Sequence, residues 1–216
     1  DRVAAHTHHA SGSGGSLCYN CHMPHTTYGL MKAMRSHQVD SPSVKASLET
    51  GRPNACNQCH LDKTLDWTAE HLSDWYKIPK PKLSKDEREI AASVLWLLRG
   101  DAGQRALMAW SYGWDEAKKA SGNHWQAPYL AQLLEDPYHS VRFIAHRSLR
   151  ALPGFADYGY QFMGPVKRRA AARIDALALW RKSPGFLGRS YSRSILMDDQ
   201  GRIMQKTFAR LLKARN

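Results

Sequence analysis

Only four cysteines occur in this 216-residue chain, and no apolar run approaches the length of a membrane span. A helical span needs about 20 mostly apolar residues. The longest candidate, residues 90–98, is far shorter and is interrupted by Ser93. Acidic residues are scarce as well: 19 Asp and Glu stand against 31 Lys and Arg, a net charge of +12. Such an excess favours solubility and steers association toward acidic partners or anionic surfaces. The basic residues are scattered rather than gathered in a stripe interleaved with aromatics, which argues against nucleic-acid binding. An apolar leader is missing too, since Asp1-Arg2-Val3 runs into a polar, histidine-rich stretch. The expectation is a mature or trimmed start, with any targeting segment removed or lying upstream. Hydrophobic residues reach 43%, enough to build a packed core and too many for wholesale disorder.

The few cysteines carry the chemistry. Cys18-Tyr19-Asn20-Cys21-His22 and Cys56-Asn57-Gln58-Cys59-His60 are both complete CxxCH motifs. In this pattern the two thiols add to the vinyl groups of a haem, and the adjoining histidine coordinates the iron from one side. Together the motifs use every cysteine and leave none for a disulfide or a nucleophile. Zinc fits less well. Between Cys21 and Cys56 lie 34 residues, against about 15–20 in a zinc ribbon. Neither zinc nor disulfides account for a histidine directly after each pair. Two haem c groups are therefore expected, with Cys18, Cys21, Cys56 and Cys59 as thioether anchors and His22 and His60 as proximal ligands. Haem is attached to such motifs outside the cytoplasm, so a periplasmic or other extracytoplasmic location follows.

The opposite face of each iron decides between electron transfer and catalysis. A second histidine gives a six-coordinate centre suited to electron transfer, methionine raises the potential, and an open position permits ligand binding. His6, His8, His9, His25 and His37 are all available near the motifs. His8 and His9 lie ten and nine residues before Cys18, close enough to fold back. His37 follows a stretch read as helical over 28–35 and is expected to reach either haem. His37, His9 and His8 are thus the leading distal candidates. His25 stands too near His22 to reach the other side of that ring and is left only with the second haem. Met23, Met31 and Met34 are weaker candidates, the last two spaced for packing on a helix. Trp67 and Trp75 are expected to wall the second haem, while His139 and His146 share an outer helix face.

Composition divides the chain near residue 80. Residues 1–79 hold all the cysteines, most of the histidines and polar connections such as Ser11-Gly12-Ser13-Gly14-Gly15-Ser16. Residues 80–216 read as helices. The fold class is mostly α: a loop-rich cytochrome segment organised by haem, then a helical domain. Helices are expected over 64–76, over 84–100 behind the capping box at Ser84 and Glu87, and over 125–135. Asp136-Pro137 reads as an N-cap and first-turn proline for a helix ending before Pro153. In that helix Val141, Ile144, Ala145, Ser148 and Leu152 share one face, and Arg142, Arg147, Arg150, His139 and His146 lie away from it. Paired with its predecessor it makes a helical hairpin of the kind stacked in α-solenoids. Further helices are expected over 166–181 and 205–214, with a small β-hairpin near 195–204.

These motifs, with Arg35-Ser36-His37 and Gly51-Arg52-Pro53-Asn54-Ala55 before the second one, resemble bacterial multihaem cytochromes c. In that group a cytochrome segment precedes HEAT- or TPR-like helical repeats. The stretch from Asp136-Pro137-Tyr138 to Pro153-Gly154-Phe155 is similar to their HEAT-like portion. The resemblance implies a periplasmic or surface-exposed electron-transfer protein and lends weight to His37 and to the His6-Thr7-His8-His9 cluster. It also implies that longer members carry further CxxCH motifs, so this chain is a reduced version or a piece of one. The leading expectation is a dihaem carrier or relay subunit, both haems bis-His, serving an acidic redox partner or a larger multihaem assembly. The alternative is an enzyme with one open distal site that reduces a small nitrogen or sulfur oxyanion or a peroxide. A third is a haem-based sensor or scaffold built on the helical repeat.

Overall fold

The short elements come first in the chain, and local hydrogen bonds hold them. The computed structural model describes residues 2–27, 31–183 and 191–215. It opens with α1 (Arg2–Thr7), α2 (Cys18–His22), the strands β1 (His25–Thr27) and β2 (Ala33–Arg35), α3 (Val44–Thr50) and α4 (Ala55–Cys59). Helices this short are unstable alone, and side chains fix the starts of α3 and α4. The Ser43 hydroxyl accepts from the Ala46 amide at the start of α3, and the Asn54 side chain accepts from the Cys56 amide at the start of α4. The helix expected over 28–35 is not formed where it is described. Ala33–Arg35 instead pairs antiparallel with His25–Thr27, His25 opposite Arg35. The β-branched Thr26 favours a strand on the partner side, and Met31 adopts φ 55° in the turn. Residues 28–30 lie outside the described residues.

The later elements pack into a helical body. Helix α5 (Leu65–Tyr76) starts as expected, with the Thr64 hydroxyl accepting from the Trp67 amide, and buries Leu65, Ala69 and Leu72. The stretch expected as one helix over 84–100 is two, α6 (Lys85–Glu89) and α7 (Ala92–Arg99). The capping box at Ser84 and Glu87 forms. At the break, the Ala91 amide donates to the Ser194 carbonyl and the Ala92 amide to the Lys63 carbonyl, so tertiary bonds replace helical ones. Beyond it come α8 (Ala102–Gly113), α9 (Asp115–Ser121), α10 (Ala127–Leu133), α11 (His139–Arg150), α12 (Val166–Lys182) and α13 (Gln205–Lys213). Helix α8 packs on α11, α10 on α11 and α12, and α7 on α8 and α13. At the α8–α11 crossing Gly113 is required, because a Cβ there would lie 2.6–2.8 Å from Ser148. Helix accounts for 58% of the structure, a mostly α fold.

The amphipathic reading of α11 holds for its buried stripe. Val141, Ile144, Ala145, Ser148 and Leu152 are all buried. Two details differ. Asp136 does not cap α11, whose first residue follows Tyr138. Its carboxylate is fully buried and accepts from Arg105 Nε at 2.7 Å and Nη2 at 3.2 Å, and from Arg215 Nη1 at 3.2 Å. Demand from two guanidiniums outweighs a helix cap. Arg142 is buried rather than outward, because its guanidinium donates to the carbonyls of Asp136, Pro137 and Phe162. The hairpin expected near 195–204 shrinks to a single bridge between Met197 and Ile203. There Asp198 accepts from the Gln200 and Arg202 amides, and a 3-10 turn at Arg193–Ile195 takes the place of a first strand. One apolar cluster runs from Val44 through Leu61, Leu65 and Leu72 to Leu211, so it draws on residues from both sides of position 80. Among the described residues no helix is long and apolar enough to cross a membrane.

Candidate functional site

The second CxxCH motif forms α4, and its two middle residues anchor it. Asn57 and Gln58 are buried. Asn57 Nδ2 donates to the Lys63 carbonyl at 3.1 Å, and the Thr68 hydroxyl donates to Asn57 Oδ1 at 2.9 Å. Gln58 Nε2 donates to the His25 carbonyl at 2.9 Å, tying the motif to β1. The helical body closes the far end. Ser121, the last residue of α9, donates its hydroxyl to the Cys59 carbonyl and accepts from the Leu61 amide, both at 2.7 Å. Ser93 on α7 donates to the Leu61 carbonyl at 2.5 Å.

The first motif forms α2 and rests on lighter supports. Asn20 Nδ2 donates to the Gly14 carbonyl at 2.7 Å. Arg35 donates to the carbonyls of Tyr19 (2.9 Å) and Met23 (3.3 Å) and lies over the Tyr19 ring at 4.2 Å. His22 Nδ1 lies 2.8 Å from the Asp40 carbonyl. A proton on Nδ1 donated to that carbonyl leaves Nε2 as the free lone pair, the tautomer a metal ligand needs.

None of the four cysteines forms a disulfide. Burial pushes Cys56 and Cys59 up to about 12, aided by neighbouring thiols, and raises Cys21 by the same route. Burial holds His60 down at about 4, with His9 the next contributor. Burial therefore favours the neutral forms of Cys21, Cys56, Cys59 and His60.

Two cavities open beside these groups. One, about 390 Å³, is lined by Cys56, Cys59, His60, His9, His71 and Trp67, among others. The second, about 370 Å³, is lined by Cys18, Cys21, His22, His6, Pro42 and Tyr76, among others. Both sizes fall within the ~300–1,000 Å³ typical of ligand pockets. They share His9, Cys21, Cys56, Leu72 and Trp75, so groups seated in them would be neighbours.

Each cavity contains a facing histidine pair. His6 and His22 have ring centres 6.1 Å apart and planes 13° apart. His9 and His60 have centres 5.9 Å apart and planes 33° apart. One metal ion held between two imidazoles, at about 2 Å from each nitrogen, separates the ring centres by about 6 Å. The donor set, thiol pairs and spacing thus fit haem c in both cavities. His9 Nδ1 lies 2.5 Å from the Thr7 carbonyl, which again leaves Nε2 free.

The remaining candidates sit elsewhere. His8, in a left-handed conformation at φ 55°, stacks on Trp75 at 4.2 Å. His37 is exposed and is not among the residues lining either cavity. His25 packs against Trp110 and Trp114 at 4.1 and 5.0 Å, and burial, reinforced by Arg35, lowers it to about 4. Trp67 lies 5.0 Å from His60, and Trp75 lines both cavities, as walls should. Met23, Met31 and Met34 line neither cavity. His146 lies 2.8 Å from the Tyr158 carbonyl, and His139 opens α11 in an exposed position. Sequence reasoning overlooked His71, which lines the second motif's cavity and holds its Nδ1 2.9 Å from the Trp67 carbonyl. The signal was present: Trp67, His71 and Trp75 recur every four residues on one face of α5.

Compared with known proteins, the cytochrome c552 family model matches residues 5–120, more than half of the chain and both CxxCH motifs. No curated protein and no solved structure matches it. Both CxxCH motifs lie within the matched span, and the chain belongs to the cytochrome c552 family, as a c-type cytochrome carrying haem c.

Proposed function

We propose that this chain is an extracytoplasmic dihaem electron-transfer protein, in which His22 and His6 would hold one iron and His60 and His9 the other. The observation that carries the reading is the pairing of rings at 6.1 and 5.9 Å, one pair in each motif's cavity. When bound, haem c supplies a one-electron iron couple whose range depends on the second axial ligand. The protein's part is to hold that couple in place. Carbonyls of Asp40 and Thr7 fix the tautomers of His22 and His9. Trp67, Trp75 and Leu72 keep the cavities apolar, which limits solvent reorganisation around a group that gains and loses charge. The shared lining of the two cavities favours passage between neighbouring cofactors over reaction at one isolated site. The net charge of +12 favours an acidic redox partner.

The test is spectroscopic. The purified oxidised protein should contain two haems per chain by mass and show only low-spin absorption and electron paramagnetic resonance signals. His6→Ala and His9→Ala should each convert one haem to high spin, and His37→Ala should change nothing. A high-spin signal in the unaltered protein, or carbon monoxide binding to one haem in two after reduction, would replace this reading with that of an enzyme or sensor.

A further inference from the structure

The connection Ser11-Gly12-Ser13-Gly14-Gly15-Ser16 has the composition of a flexible spacer, yet part of it is closely packed. A Cβ built on Gly15 would lie 2.1 Å from His9 Cδ2, 2.3 Å from Cγ and 2.8 Å from Nε2. No real side chain tolerates such approaches, so the imidazole lies directly against the Gly15 backbone. On its other side Nδ1 meets the Thr7 carbonyl at 2.5 Å. The ring is thus held from two directions, by a hydrogen bond along one edge and by a side-chain-free backbone along another. Gly15 itself has an ordinary negative-φ backbone and lies in a 3-10 turn, Gly14–Ser16. Its glycine identity is therefore a demand of space and not of backbone conformation. That turn is pinned, since the Ser16 hydroxyl donates to the Ser13 carbonyl at 2.8 Å and Asn20 of α2 donates to the Gly14 carbonyl at 2.7 Å.

We infer that Gly15 is a positioning residue for His9: a notch in the chain, fixed to the first CxxCH helix, seats the imidazole that faces His60 in the second cavity. The inference rests on the reading of His9 as an axial ligand. It gives the short turn a role between the motifs. The bond from Asn20 ties the seat to α2, so the first motif's helix fixes the ligand of the second motif's iron. Gly14 provides the contrast. A Cβ there would meet the Glu116 carboxylate at 2.1 Å, but that is the end of a flexible side chain that can swing away.

Four variants of the full haem-loaded protein test this: His9→Ala, Gly15→Ala, Gly14→Ala, and Gly15→Ala combined with His9→Ala. Gly15→Ala should make about one of the two haems high spin, and added imidazole should return it to low spin. Gly14→Ala should remain fully low spin. Thermal unfolding separates the seat from general packing: Gly15→Ala should lower Tm in the presence of His9 and leave it unchanged in the His9→Ala background. If His9→Ala stays low spin, the ligand reading itself fails. If His9→Ala becomes high spin but Gly15→Ala does not, the ligand stands and the notch is refuted. An equal Tm loss with and without the His9 ring would also refute it.

Discussion

Ser121→Ala removes one oxygen that serves two backbone groups of the second motif. The hydroxyl donates to the Cys59 carbonyl and accepts from the Leu61 amide, each at 2.7 Å, and Leu61 is fully buried. A buried polar group stripped of its partner costs about 1–3 kcal/mol. Two such losses would reach about 2–6 kcal/mol, but the Leu61 amide also points at the Cys59 carbonyl 3.0 Å away. The two orphaned groups can therefore partly satisfy each other, which brings the expectation down to about 1–3 kcal/mol. Urea unfolding followed by tryptophan fluorescence should show this as a lower midpoint at an unchanged m-value. Amide exchange locates it: the Leu61 amide should exchange faster while α11 keeps its protection. Ser121→Thr, which retains the hydroxyl, should recover most of the loss. A midpoint shift worth less than about 0.5 kcal/mol, the usual size for surface changes, would show that α9 does not hold this motif.

Arg105→Met leaves the Asp136 carboxylate buried with only Arg215 and the Tyr138 amide, and should cost about 3–5 kcal/mol in unfolding. Making Asp136→Leu as well should recover most of that cost; no recovery would mean the pair itself, rather than the stranded charge, sets the loss. Asp86 of α6 is held below the usual carboxylate range, chiefly by its hydrogen bond with Arg210, with Arg99 adding to the effect. A depressed folded pKa adds stability that is present above the unfolded value near ~3.9 and is lost as pH falls through the folded one. Asp86→Asn should therefore melt below the unaltered protein at neutral pH, and the gap should close under acid. His25 has the same sign for a different reason: burial keeps it neutral down to about 4. Between ~6.5 and that value the unfolded chain binds the extra proton, so His25→Gln should flatten the loss of stability over this window. Arg35→Lys removes the fork whose Nη1 donates to the Tyr19 and Met23 carbonyls and whose Nη2 donates to Asn20 Oδ1, so exchange of the Met23 amide should quicken while that of α5 does not.

The helices were legible where a local signal and the tertiary demand agree. The hydroxyl of Ser84 finds the amide its capping box predicts, and Thr64 caps the helix expected from that position. The apolar stripe of α11 points inward because its 3.6-residue period leaves no other arrangement. The misreadings share a cause. Asp136-Pro137 carries a helix-start signal, but Arg105 lies 31 residues earlier in the chain and takes the carboxylate as a buried counter-ion. Ala91-Ala92 reads as helix interior, yet the Ser194 and Lys63 carbonyls capture its backbone amides from distant segments. Arg142 looks like part of a basic face until the Phe162 carbonyl, 20 residues on, comes into reach. Local pattern contains none of these partners.

The site divides in the same way, with a sharper boundary. Covalent attachment and proximal ligation are local chemistry, so the expectation for them follows from the CxxCH spacing alone. A distal ligand is defined by which ring faces the proximal one across the cofactor, and sequence distance says little about that. His37 is about as near His22 in sequence as His6 is, yet it is exposed while His6 lies parallel to His22. His8 and His9 are adjacent and equally eligible by spacing. The φ of 55° at His8 turns its ring onto Trp75, and the next residue faces His60. Among four residues with three histidines, a single left-handed backbone angle thus separates the packing ring from the facing one. Glycine at position 15 then leaves room for the imidazole at His9 alone.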